Sequence, residues 1–176
     1  ELGELAGYIK TTRTTFFIED EESGIKLTGD PDQIFKAADG SAILIDYKTS
    51  KVTKTQDEMY PIYEFQLNGY RKIAEHIGLP AVSKLALVYT EPQTDQYGEE
   101  SVLNESGFHM NFMAAVKPVH IKEDLVKEKM HKAREIMNSG AIPRPRKFVF
   151  NNKEKFCNDC VKMEGVFKTM NAIWPK

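Results

Sequence analysis

The chain has 176 residues, a net charge of −2, 41% hydrophobic and 28% charged side chains; it suits one α/β domain able to bury about 70% of its unfolded surface. No apolar run approaches the roughly 18 residues of a membrane helix, and the charge balance argues mildly against a surface that grips nucleic acid all over. Two cysteines and no charged-then-apolar leader make a reducing cytoplasm the default, and a start at Glu1-Leu2-Gly3-Glu4 without Met reads as a fragment lacking upstream residues.

Leu2, Leu5 and Ile9 recur at helical spacing, so residues 1 to 9 read as the end of a helix. Thr11 to Asp20 is rich in Thr and Phe and ends in Glu21-Glu22-Ser23-Gly24, which reads as a strand and turn. With the hairpin that follows, this gives three antiparallel strands in succession.

That hairpin runs from Leu27-Thr28-Gly29-Asp30-Pro31-Asp32 through Asp39-Gly40 to Asp46-Tyr47-Lys48-Thr49-Ser50. A three-residue Ala38-Asp39-Gly40 loop with Gly40 left-handed pairs Lys36 with Ala42, Ile34 with Leu44 and Asp32 with Asp46. A two-residue loop would turn every side chain over and set Asp32 opposite Tyr47, so the longer loop is expected. Asp46 and Lys48, two apart, then share a face. Ile34 and Leu44 lie on that face and Phe35, Ile43 and Ile45 on the other, which makes the hairpin central. Two adjacent carboxylates in such a place repel and lose hydration, at a cost of several kcal/mol unless a cation compensates. Oxygen ligands suit Mg²⁺ or Mn²⁺.

Lys51 to Glu58 is polar and reads as a loop; Pro61 suits the first turn of a helix that runs to about Ile77 and is stopped by Gly78 and Pro80. Ile62, Gln66, Tyr70, Ile73 and Ile77 form one stripe on it. Gln66 is anomalous there, because an amide on an apolar face must find a partner. On spacing alone that partner is a nearby backbone group and Tyr70 is core.

Gly29-x-x-Asp32, then Asp46-x-Lys48 with Thr49 after it, then Gln66-x-x-x-Tyr70, in this order over roughly residues 13 to 90, resembles the PD-(D/E)XK nuclease superfamily and its RecB-like exonuclease branch. The resemblance implies a restriction-endonuclease-like core, a central mixed β-sheet flanked by helices. It implies metal-dependent cleavage of DNA in repair, recombination or phage and mobile-element DNA processing. Asp32, Asp46 and the main-chain carbonyl of Tyr47 would hold Mg²⁺ or Mn²⁺, and Lys48 would orient the attacking water or stabilise the developing charge. Gln66 and Tyr70 would lie beside the metal and contact the nucleic acid with Thr49, Ser50 and Lys51. A residue before the first strand completes the metal site in that family, and Glu4, with Glu1 behind it, is the candidate here. Lys48, Lys51, Lys54, Arg71, Lys72, Arg144, Arg146 and Lys147 would supply a local basic patch. A helicase or recombination protein is the implied partner. Two other readings stand beside this one: a non-cleaving DNA-binding module of a larger helicase or recombination protein, and a protein in which Asp46 and Lys48 form only a structural ion pair.

Further on, Lys84 to Glu91 alternates as a strand, Gln93 to Glu105 is an acidic loop, and Gly107 to Val119 reads as one or two strands. Lys122 to Asn138 carries Leu125, Val126, Met130, Ala133, Ile136 and Met137 as the apolar face of a helix. The domain is taken as 1–176, with 141–176 a basic tail containing Cys157-Asn158-Asp159-Cys160. Some RecB-like nucleases and CRISPR-associated relatives hold an iron-sulfur cluster with Cys-x-x-Cys-x5-Cys plus an upstream cysteine. Here Val166 takes the last position and no upstream cysteine exists, so two thiolates are left where a cluster needs four ligands. His76, His109, His120 and His131 show no paired spacing for zinc. No cluster is expected.

Overall fold

The computed structural model describes residues 2–12, 14–49, 54–93, 103–104, 107–108, 111–139, 147–150 and 153–173. The chain divides into two compact units, Glu1–His131 and Lys132–Lys176.

The first unit is built from β1 (Leu5–Ile9), β2 (Phe17–Asp20), β3 (Ile25–Thr28), β4 (Gln33–Ala37), β5 (Ala42–Lys48), α1 (Lys54–His76), β6 (Val82–Pro92), β7 (Leu103–Asn104), β8 (Gly107–Phe108) and β9 (Phe112–Val119), after which α2 (Leu125–Asn138) begins. Five strands form a mixed sheet in the order β1-β4-β5-β6-β9; β2 pairs with β3, and β7 with β8, in separate small sheets. Among the described strands only β5 and β6 pair in parallel, and the helix α1 is the crossover that a parallel pair requires.

Both faces of β5 are covered, as its run of apolar residues on alternate sides demands. Ile34, Leu44, Leu85, Leu87 and Tyr89 pack on one face with Leu67, Ile73 and Ala74 of α1. Ala37, Ile43, Ile45 and Ala86, with Phe35 and Val88, form a second cluster from the opposite set of side chains. Helix α1 ends as expected: the Gly78 N–H reaches the Glu75 carbonyl at 3.2 Å and the Leu79 N–H the Ala74 carbonyl at 2.9 Å, a closure that Gly78 at φ +80° permits.

Several expectations are corrected. Residues 5 to 9 are a strand, not the end of a helix, with Tyr8 opposite Phe35 and Ile9 opposite Ile34. So short a helix does not stand alone in water, whereas the open edge of β4 offers backbone partners. The Thr11 to Asp20 strand shrinks to β2, because the N–H groups of Thr15 and Phe16 turn back to the Thr12 carbonyl, both at 3.0 Å; such threonine-rich turns compete with extended pairing. With β2 and β3 apart, the three-strand succession does not form within the central sheet. Helix α1 starts at Lys54, so Pro61 lies inside it and forfeits one backbone bond. Its buried face centres on Leu67, Asn68, Ile73 and Ala74, whereas Ile62 and Ile77 are 42% and 36% exposed at the flank.

Asn68 explains why α2 begins after Lys122. Its Oδ1 accepts the Lys122 N–H at 2.8 Å and its Nδ2 donates to the His120 carbonyl at 3.0 Å, pinning the link between β9 and α2 as non-helical chain. Lys122 Nζ also meets Glu64 of α1 at 2.8 Å. Asn68 is buried, so Asn68→Ala strands two backbone groups and should cost about 2 kcal/mol. A urea melt that matches wild type would show that the link does not depend on this amide.

In the second unit β10 (Lys147–Phe150) and β11 (Lys153–Phe156) form a hairpin, followed by α3 (Asn158–Ile173).

Candidate active site

The site grows from the β4–β5 turn. Ala37 N–H donates to the Ser41 carbonyl at 2.8 Å and Gly40 N–H to the Ala37 carbonyl at 3.0 Å, with Gly40 at φ +85°. This is the three-residue loop, and the register follows it: Lys36 opposite Ala42, Ile34 opposite Leu44. Asp32, just before β4, therefore reaches the level of Asp46, and its Oδ2 accepts the Tyr47 N–H at 2.7 Å. Asp32 is exposed while Asp46 is 3% exposed. The Tyr47 side chain is 44% exposed and alternates away from Asp46, so only its main chain belongs here.

Lys48 shares the Asp46 face, with Nζ 2.5 Å from Asp46 Oδ2. From α1, Gln66 Nε2 donates to Asp46 Oδ1 at 3.0 Å and to the Tyr70 hydroxyl at 2.8 Å. The amide thus binds the carboxylate itself, not a backbone group. Burial pushes the Asp46 carboxyl up and the nearby Asp32 charge adds to this; the Lys48 ammonium and the Gln66 amide pull the other way without cancelling it.

Gly29 has a steric reason. A Cβ there would stand 2.3 Å from Tyr70 Cε1, and the Tyr70 ring is held edge-on by Phe16, centroids 6.1 Å apart. Gly29→Ala should push Tyr70 off Gln66, lowering stability by about 1–2 kcal/mol as overpacking does, and loosening the Gln66 hold on Asp46. Unchanged melting would show that the ring yields freely.

Asp46 Oδ2 is buried and its partner is the Lys48 ammonium, 2.5 Å away. A buried carboxylate next to a second, exposed carboxylate is a donor set of hard oxygens, which suits a divalent cation that keeps waters as further ligands. Among the described residues no three His, Cys, Asp or Glu gather as a metal cluster.

Glu4 does not reach this place. Its carbonyl accepts the Ala38 N–H at 3.0 Å, and because β1 runs antiparallel to β4 with Leu5 opposite Ala37, it sits at the turn end of the hairpin. Asp32 lies at the other end, about 20 Å away at a strand's rise per residue. Thr49 is exposed just beyond β5; Ser50, Lys51, Glu1, His109, Arg144 and Arg146 lie outside the described residues. Arg71 pairs with Glu75 and Glu123, both at 2.7 Å, and Lys147 with Glu154 at 3.2 Å. Sequence reasoning missed Tyr63, whose ring centroid is 4.2 Å from Lys48 Nζ. Its spacing of three from Gln66 on the same helix was the available signal.

The family model for the PD-(D/E)XK nuclease superfamily matches residues 2–162. The chain belongs to the PD-(D/E)XK nuclease superfamily. Its mixed sheet with the α1 crossover is the restriction-endonuclease-like α/β fold of that superfamily. No curated protein matches the chain. Among the described residues no helix is long and apolar enough to cross a membrane.

In the second unit Cys157 immediately precedes α3 and Cys160 lies in its first turn. Both are free thiols, and hydrogen bonds from Cys160 hold the Cys157 thiol below its usual range. Anaerobically purified protein should be colourless, with negligible iron and acid-labile sulfide. A stoichiometric brown cluster would require thiolates from another chain or from residues upstream.

Proposed function

We propose that this superfamily member is a Mg²⁺- or Mn²⁺-dependent deoxyribonuclease, an exonuclease of the RecB-like kind, acting in DNA repair, recombination or mobile-element DNA processing. The observation that carries the reading is Asp46: a buried carboxylate held through Oδ1 by Gln66 and touched at Oδ2 by Lys48, with Asp32 alongside. Asp32, Asp46 and the Tyr47 carbonyl are the groups that would hold the ion. When bound, the ion supplies a water acidic enough to attack at neutral pH and polarises the phosphate.

The remaining roles belong to the chain. Gln66 fixes the Asp46 rotamer through Oδ1 and leaves Oδ2 to the Lys48 ammonium and the ion. Lys48 keeps a positive charge beside that oxygen, where it stabilises the negative charge that grows on the phosphoryl oxygens or orients the attacking water. Gln66 and Tyr70 are the groups that would contact the nucleic acid, with Thr49, Ser50 and Lys51 as further contacts. The setting is a reducing cytoplasm, and the partner a helicase or recombination protein.

A time course on end-labelled linear and closed circular DNA, single- and double-stranded, with Mg²⁺ or with chelator, tests this. Metal-dependent loss of label from linear DNA alone supports an exonuclease. DNA binding without cleavage of any form would instead favour the non-cleaving module.

A further inference from the structure

We infer that Tyr63 is a positioning residue that holds the Lys48 ammonium over Asp46. This rests on the nuclease reading for its effect on rate, though not for the contact itself. Lysine ends a flexible four-carbon stem, and an ammonium at a partly buried site gains hydration by swinging outward. Two contacts oppose that here. The Asp46 Oδ2 lies 2.5 Å from Nζ, and the Tyr63 ring presents its centroid 4.2 Å from the same atom, well inside the range at which an aromatic face attracts a cation.

Burial decides how much the ring matters. The Lys48 side chain is 19% exposed, so the contact is made in a poorly solvated setting where such attraction is strongest. Lys26 lies closer to the Phe17 ring, 3.8 Å, but its side chain is 52% exposed and water competes for it. The Tyr63 ring is also fixed in place. It packs against the core cluster of α1 and the sheet, one helical turn before Gln66, so the same helix face that orients Asp46 through the amide orients Lys48 through the ring. Asp46 alone is a poor anchor for the ammonium, since anything positive that binds Oδ2 competes with Lys48 for it. The ring keeps its attraction whatever happens at that oxygen.

The test separates ring face from hydroxyl and from bulk. Tyr63→Phe should cleave DNA within about threefold of wild type, whereas Tyr63→Leu should lose about tenfold in kcat with KM for DNA unchanged. In the Lys48→Met background Tyr63→Leu should cost nothing further, because the group it positions is gone. A second readout needs no catalysis: in protein labelled with ¹³C-lysine, the Lys48 ε-methylene protons should be shifted upfield by the ring current in wild type and Tyr63→Phe and return to the ordinary position in Tyr63→Leu, with thermal melts confirming that each variant is folded. Leu and Phe variants that cleave equally, or an equal loss from Tyr63→Leu with and without Lys48, would overturn the proposal. So would Lys48 protons at an ordinary position in wild type. A wild type that cuts no DNA but shows the shifted resonances sinks the nuclease reading while the contact stands.

Discussion

Lys48→Met should lower DNA cleavage about a hundredfold or more, a loss of roughly 3 kcal/mol in transition-state stabilisation of the size seen when one preorganised charge donor is deleted. Methionine keeps most of the stem and removes the ammonium that lies 2.5 Å from Asp46 Oδ2. Lysine is no ligand to a divalent ion, so Asp32 and Asp46 should still hold metal, and DNA should still bind. Asp46→Asn should abolish cleavage altogether, because it takes away the buried anionic oxygen. The measurement is a time course on end-labelled linear DNA with Mg²⁺ or Mn²⁺, comparing wild type with the two variants. Equal rates for wild type and Lys48→Met would reject the role given to Lys48.

Millimolar Mn²⁺ should raise the melting temperature, since a ligand that binds only the native state stabilises it. At about a hundred times its dissociation constant the gain is about 2.7 kcal/mol, or roughly 5–10 °C for a chain of this length. Asp32→Asn should erase the shift. Its pH dependence follows from Asp46, whose carboxyl burial raises above the ordinary aspartate value. In the metal-free protein a raised carboxyl contributes stability that is fully present below its unfolded pKa and lost as pH climbs through the raised folded value, because the native state then carries a poorly solvated charge. Metal binding needs that charge, so the Mn²⁺ effect should grow as pH climbs through the same raised value. Identical melting with Mn²⁺ and with chelator would show that the carboxylates are not a metal site.

Metal affinity and chemistry thus test different atoms of one hairpin, and the two variants should fail differently. Asp32→Asn should lose the melting shift, whereas Lys48→Met should keep the shift and lose the rate. A protein in which Asp46 and Lys48 were only a structural ion pair would show neither pattern: Lys48→Met would simply melt lower, and Mn²⁺ would shift the melting of no variant.

What the sequence determined by itself is what depends on neighbours along the chain. Gly40 in the left-handed region sets a three-residue loop, the loop sets the register, and the period of two puts Asp46 and Lys48 on one face with Asp32 at their level. The end of α1 at Gly78 is local for the same reason. Tertiary structure alone decided whatever depends on partners far along the chain. Residues 5 to 9 have helical spacing but become a strand because β4 offers an edge, and that pairing carries Glu4 away from the carboxylates. Gln66 meets Asp46 across twenty positions, Tyr70 requires a bare backbone at Gly29, Lys48 finds the Tyr63 ring, and Arg71 turns to Glu123. Periodicity says which way a side chain points from its own element, but what it meets there is set by the packing of α1 on the sheet, where burial makes each polar group find a partner within reach.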